Sequence, residues 1–206
     1  MTKKNILFDF DGVIVDSFAA CFEVSRAIHP ILTEETYRKR FEGNINHAFT
    51  DQEHDDRCRH DINFFDELRP RLAQAPVFEG MLDVIDELHK EYRLVIVSST
   101  ISAPIREYLE GHNIANHFDD ILGNDIHTSK VEKIKMVLQK YTLEAGDCVF
   151  VTDTLGDMRE AAEVGVGAIA VSWGFQRHAT LEQGKPFRVV DAPADLLKAV
   201  SAYFHQ

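Results

Sequence analysis

After Pro76 the chain alternates short apolar runs with amphipathic helical stretches, and this alternation restricts the possible folds more than any other feature. Met81–Tyr92 has helical periodicity and Leu94–Val97 reads as a strand. Pro104–Glu110 follows as a helix, with Gly111 placed to end it, and Asp120–Leu122 as a short strand. Val131–Tyr141 is a helix opened by Ser129-x-x-Glu132, the spacing of a capping box. Cys148–Val151, Ala168–Val171 and the weaker Phe187–Val190 are strands, and Asp157–Val164 and Ala194–Phe204 are helices. Strands this apolar are buried on both faces, so the sheet is parallel and covered by helices on both sides. One further strand, Ile6–Phe10, stands apart near the N-terminus. From Ser17 to about Ala75 the apolar residues recur at helical spacing, as in Phe18, Cys21, Phe22 and Ile28, and Pro30, Gly43 and Pro70 punctuate the stretch. The expected organisation is an α/β core, residues 1–15 and 77–206, interrupted after its first strand by a helical insertion, residues 16–76.

A chain of 206 residues can bury such a core without disulfide or metal staples. Its formal net charge of -12 argues against nucleic acid or an anionic membrane surface as a partner, because both need a basic footprint. The longest apolar stretch, Val164–Trp173, is broken by two glycines and is too short to cross a bilayer. Cys21, Cys58 and Cys148 are odd in number and lack Cys-x-x-Cys spacing, and the first apolar run is too short for a secretory leader. Reduced thiols and a cytoplasmic location are expected.

In an open parallel sheet, ligands bind beyond the C-terminal ends of the strands. Asp9 and Asp11 lie at the end of the first strand, and Ser98, Ser99 and Thr100 follow Leu94–Val97. Asp153 and Asp157 follow Cys148–Val151, and Lys130 starts a helix. Asp9 and Asp11, two apart on extended chain, point the same way, and Gly12 lets the backbone turn after them. Carboxylates converging from two strand ends repel one another unless a cation lies between them, and an all-oxygen donor set selects Mg²⁺ over Zn²⁺. Taken singly, these residues also suit turns and helix caps; together they mark a site for phosphate chemistry.

These motifs resemble the haloacid dehalogenase-like superfamily, in its phosphoglycolate phosphatase and β-phosphoglucomutase branch. The matching segments are Asp9-Phe10-Asp11-Gly12-Val13, Val95-Ile96-Val97-Ser98-Ser99, Lys130, Asp153-Thr154-Leu155-Gly156-Asp157 and Ser172-Trp173-Gly174-Phe175, in family order. The resemblance implies a Rossmann-like core with a small helical cap domain as the insertion. It implies Asp9 as a nucleophile forming an aspartyl-phosphate and Asp11 as general acid and base. It implies Mg²⁺ held by Asp9, Asp11 (through its main-chain carbonyl), Asp153 and Asp157. Ser98, Ser99 and Lys130 would bind the substrate phosphate, with Lys133 as the alternative lysine. Thr152 departs from the usual glycine before the aspartate. The implied activity is a phosphatase on a small phosphate ester. A phosphosugar mutase shares every core residue, and a non-catalytic phosphate- or Mg²⁺-binding module is a third reading. A zinc site at His54, Cys58 and His60 is set aside as a solvated helix face. Glu42-Gly43-Asn44 is the candidate substrate-facing loop of the insertion, with a plain interhelical turn as the equal alternative, and Trp173 and Phe175 are expected to pack at the rim of the core.

Overall fold

The computed structural model of the protein describes residues 3–47 and 57–205. Among them a six-stranded sheet runs β1 (Asn5–Phe8), β2 (Arg93–Val97), β3 (Phe118–Leu122), β4 (Cys148–Thr152), β5 (Gly167–Val171) and β6 (Arg188–Val190) along the chain. Every neighbouring pair is parallel and the spatial order is β3-β2-β1-β4-β5-β6. β1 is therefore the point from which the chain builds outward first to one side and then to the other. This is the place where an α/β sheet opens a crevice at its strand ends.

The strand residues alternate between faces. Ile6, Phe8, Leu94, Ile96, Val149 and Val151 belong to one buried cluster, and Leu7, Val95, Val97 and Phe150 to another. Eight helices beyond the first, α1 (Phe18–Ile28), are α2 (Glu34–Lys39), α3 (Phe64–Leu72), α4 (Met81–Glu91), α5 (Ser102–Gly111), α6 (Lys130–Tyr141), α7 (Leu155–Glu163), α8 (His178–Leu181) and α9 (Asp195–Phe204). Helices α4, α5 and α9 cover the first face, through residues such as Ile85, Leu109 and Leu196. Helices α6 and α7 cover the second through Ile134, Val137 and Ala161.

The elements differ from the sequence reading at their ends, for local reasons. β1 stops at Phe8 because the Phe10 amide donates to the Asp9 carboxylate at 2.7 Å, and the Phe10 carbonyl receives the turn amides of Ile14 and Val15. α5 begins at Ser102, two residues before Pro104, since the first amides of a helix need no partner within it. The left-handed residue beyond α5 is Asn113, at φ 60°, rather than Gly111. Ser129 caps α6 through the Glu132 amide at 3.4 Å, but Glu132 turns to Lys135, so the box is half made. Pro70, read as punctuation, lies inside α3. Its missing amide removes one bond near the end of a helix whose Leu68 and Leu72 are each 1% exposed and whose start is capped by Asn63.

The insertion's described residues hold α1, α2, α3 and the 3-10 turns Arg40–Glu42 and Ile45–His47, with no strand. The two passages between it and the rest run side by side. The Asp16 amide donates to the Pro76 carbonyl at 2.9 Å, and Val15 and Val77 form an isolated antiparallel bridge.

Phe8 is fully buried on the first face and meets Phe118 edge-on at 6.2 Å. Phe8→Ala is expected to destabilise the fold by about 3–5 kcal/mol in urea unfolding, the cost of an uncollapsed cavity at the centre of the sheet.

Candidate active site

The pairing register brings Phe8 beside both Ile96 and Val151. The residues just past these strands therefore leave the sheet together, and Asp9, Ser98 and Asp153 enter one crevice. Asp9, Asp11, Ser98, Ser99, Lys130, Asp153 and Asp157 all line a single cavity of about 270 Å³.

At its centre the Lys130 ammonium lies 2.8 Å from Asp9 Oδ2 and 2.7 Å from Asp157 Oδ2. All three side chains are almost wholly buried. The two carboxylates hold the Lys130 ammonium charged, raising its pKa against the burial that lowers it. Burial pushes the Asp9 carboxyl well up, and Lys130 offsets only part of that. Asp157 is held low despite its burial, by Lys130 and by hydrogen bonds that include the Thr152 hydroxyl at 2.6 Å. Lys133 behaves differently. Its ammonium donates to the Ser98 carbonyl at 2.5 Å, and burial beside Lys130 pulls it down to about 8. Of the two lysines, Lys130 is the one against the carboxylates.

Asp11 is held separately. One oxygen accepts from Ser17 Oγ and the other from Thr100 Oγ1, each at 2.7 Å. Burial raises its pKa, and the two hydroxyls work against that. Ser98 is fully buried, with its hydroxyl accepting from the Thr100 amide at 3.0 Å, while Ser99 is half-buried on the cavity wall.

Asp153 is 0% exposed. Its Oδ2 accepts from the Phe175 amide at 2.6 Å, but its buried Oδ1 has no hydrogen-bond partner. A Cβ on Gly12, at φ 74°, would overlap the Asp153 carboxylate, and so would one on Gly174. Both glycines are thus required by close approach, and Gly12 by its left-handed backbone as well. Asp9, Asp11, Asp153 and Asp157 bring up to four negative charges against one ammonium. An orphaned buried carboxylate oxygen, an oxygen-only donor set and this surplus of charge fit a hard divalent cation such as Mg²⁺.

Several contacts of the site lay beyond the sequence reading. Thr152, noted only as a departure, holds Asp157 and accepts the Thr154 amide at 3.2 Å. Ser17 and Thr100 fix the two oxygens of Asp11. Glu160 Oε1 receives the Lys130 amide and Asn44 Nδ2, both at 2.9 Å. Thr100 already stood among the strand-end candidates, without its hold on Asp11. The others depend on residues up to 116 positions apart.

The insertion closes over this crevice. Asn44 turns toward Glu160 and the Thr128 carbonyl, so its side chain joins the insertion to the core instead of facing substrate, while Gly43, Ile45 and Asn46 line the cavity. Gly156 lies under the Gly43 carbonyl, with no room for a Cβ. Arg38 donates to the Phe175 carbonyl, and Arg159 to the Glu42 carbonyl at 2.5 Å. Phe175 is not a rim residue. It is buried against Phe18 and Phe41, with ring centroids 5.1 Å and 5.0 Å away. Trp173 is half-buried and donates to the Val13 carbonyl at 3.2 Å. Of the trio set aside as a zinc site, His54 lies outside the described residues, and Cys58 Sγ is 3.4 Å from His29 Nδ1.

The family model of haloacid dehalogenase-like hydrolases matches residues 6–171, from β1 to the end of β5. The chain belongs to that family. The phosphoglycolate phosphatase of Vibrio parahaemolyticus is 24% identical to it over 221 residues, covering 96% of each chain. That of Synechococcus elongatus is 24% identical over 211 residues, covering 98% of this chain and 99% of the other. Among solved structures, a haloacid dehalogenase-like family protein of Streptococcus pneumoniae superposes with a TM-score of 0.77 at 22% identity. It covers 96% of this hydrolase and 98% of its own chain, a likeness of fold. No helix among the described residues is long and apolar enough to cross a membrane.

Burial pushes the Asp153 carboxyl up to about 7, with Asp157 adding to the effect and the Phe175 amide opposing it. An unfolded aspartate titrates near pH ~3.9. Between these values the metal-free folded state binds more protons than the unfolded one, so this group's contribution to stability falls as pH rises through that window. In EDTA, Asp153→Asn is therefore expected to melt several degrees above the parent at pH 8, with the advantage shrinking toward pH 5. A difference that is constant across this range would refute the assignment.

Proposed function

We propose that this hydrolase is a Mg²⁺-dependent phosphatase of small phosphate monoesters that works through an aspartyl-phosphate on Asp9. The observation that carries the reading is the set Asp9–Lys130–Asp157 beside the unpartnered Asp153 oxygen, at the floor of a covered cavity. The names of the relatives make 2-phosphoglycolate the first ester to try.

The roles follow from the atoms. Asp9 Oδ1 is pinned by the Phe10 amide and Oδ2 by Lys130, so the carboxylate is oriented before substrate arrives. Attack by Asp9 on phosphorus forms an acyl phosphate and breaks the bond to the leaving oxygen. Asp11, whose burial favours its protonated form, gives that oxygen its proton. It then takes a proton from the water that attacks phosphorus and frees Asp9. Ser17 and Thr100 hold Asp11 in place for both steps. Lys130 and the Ser98–Ser99 turn meet the phosphoryl oxygens. Asp9, Asp153, Asp157 and the main chain of Asp11 are suited to hold Mg²⁺, which when bound neutralises charge on the transferring group.

Residues 16–76 act as a cap on a core of residues 1–15 and 77–206, hinged where Asp16 meets Pro76. Closure dries the site for the first transfer, and opening admits water and releases the alcohol. The free cysteines suit a reducing, cytoplasmic setting.

Phosphate release from a panel of monoesters tests the proposal directly. Asp9→Asn is expected to abolish release while leaving the melting temperature within a few degrees. Asp11→Asn is expected to lower kcat by roughly 10²–10⁴. Retention of parental activity by Asp9→Asn would remove Asp9 as nucleophile.

EDTA is expected to silence the enzyme and Mg²⁺ to restore it, with Asp153→Ala requiring far more Mg²⁺ for rescue. Full turnover in metal-free buffer would overturn the metal-dependent part of the reading.

A further inference from the structure

The cavity has two unlike halves. Its floor carries the carboxylates, Lys130 and the serine turn. Its roof, supplied by the insertion, is Ile28, Tyr37, Phe41, Ile45, Phe64 and Phe65. Five of these, Ile28, Phe41, Ile45, Phe64 and Phe65, are only half-buried although they sit under the insertion. On α3 the inward positions Leu68 and Leu72 already fill the insertion's own core, while Phe64 and Phe65, packed at 5.4 Å, face the cavity at its first turn.

Among the described residues, each basic side chain on the cavity wall has a partner. Lys130 is bound between Asp9 and Asp157. His29 meets Cys58, and Arg40 has a partner, although its buried Nε and Nη2 make no hydrogen bond. A substrate carboxylate placed against Phe41, Phe64 and Phe65 would exchange water for aromatic rings, at the cost of desolvating its charge. An apolar group placed there gains the burial of its own surface and of the half-buried rings.

We infer that the leaving alcohol of this enzyme is an uncharged apolar group of about the size of one aromatic ring, seated against Phe41, Phe64 and Phe65, rather than a short carboxylate-bearing alcohol. The cavity of about 270 Å³ corresponds to roughly nine waters of liquid volume, enough for a phosphoryl group and one ring. The inference rests on the phosphatase reading for its use of the site, but it is tested by binding and stands apart from turnover.

The test uses the full chain with saturating Mg²⁺ and two phosphonates that cannot be hydrolysed. One is 2-phenylethylphosphonate, the carbon counterpart of benzyl phosphate. The other is 3-phosphonopropionate, the counterpart of 2-phosphoglycolate. Calorimetry is expected to show the phenyl compound binding roughly tenfold or more tightly, about 1.4 kcal/mol. Phe64→Ser and Phe65→Ser, each checked by melting, are expected to bring the two affinities within about threefold, and Phe64→Leu to keep most of the preference. Equal or tighter binding of 3-phosphonopropionate, or no binding of the phenyl compound, overturns the inference. Phosphate release from benzyl phosphate and 2-phosphoglycolate is measured alongside. Phenyl preference without release from any ester leaves the pocket standing and removes the phosphatase reading. Turnover with preference for 3-phosphonopropionate does the reverse.

Discussion

One ammonium holds the floor of this molecule's crevice together. Lys130 is 2% exposed and shared between Asp9 and Asp157, which reach it from different elements. Without it two buried carboxylates would face each other, and breaking a buried pair in this way costs about 3–5 kcal/mol. The lysine reaches them because α6 starts where it does. Ser129 caps the helix, and the Lys130 amide is received by Glu160 of α7. The face of Phe150 lies 5.5 Å from the ammonium and shields it from below. β1, β4, α6 and α7 thus meet at a single charged group, and their relative positions are set by it.

The ammonium does not balance the site. Asp153 remains fully buried with one bare oxygen, tolerated because glycine stands at both places where a side chain would displace it. The segment that supplies one of those glycines, Ser172–Phe175, also supplies the Phe175 amide to Asp153 and the Phe175 ring to the insertion. The same few residues therefore serve the charged floor and the seat of the lid.

Around Phe175, contacts of two kinds join the insertion to the core. An aromatic group, Phe18, Tyr37 and Phe41 around Phe175, forms a dry hub. Around it, side chains reach across to carbonyls or to a single carboxylate: Arg38, Asn44, Arg159 and Gln176. Peripheral bonds of this kind exchange readily with water, so each adds little net stability to the contact. The backbone link between Asp16 and Pro76 ties together the two passages between the insertion and the rest of the chain.

The parallel sheet, its helices and the place of the insertion were legible along the chain, because periodicity of burial is a local property that each segment writes into itself. So were Asp9, Asp11, Ser98, Ser99, Lys130, Asp153 and Asp157 as candidates, since strand ends can be found from strands alone, and all seven line one cavity. The start of α6 already favoured Lys130 over Lys133, and the structure sets Lys130 against Asp9 and Asp157 while the Lys133 ammonium goes to the Ser98 carbonyl. Asn44 needed three dimensions. Its position in a turn suggested substrate, but its amide goes to Glu160, 116 residues away. Thr152 looked like a loss of glycine until Asp157 was found against its hydroxyl. Sequence alone determined which groups this protein carries and on which elements, because backbone preference and burial are decided within a few neighbours. Tertiary structure alone decided which of them touch, because a hydrogen bond or an ion pair depends on distances of a few ångströms between segments that the chain keeps far apart.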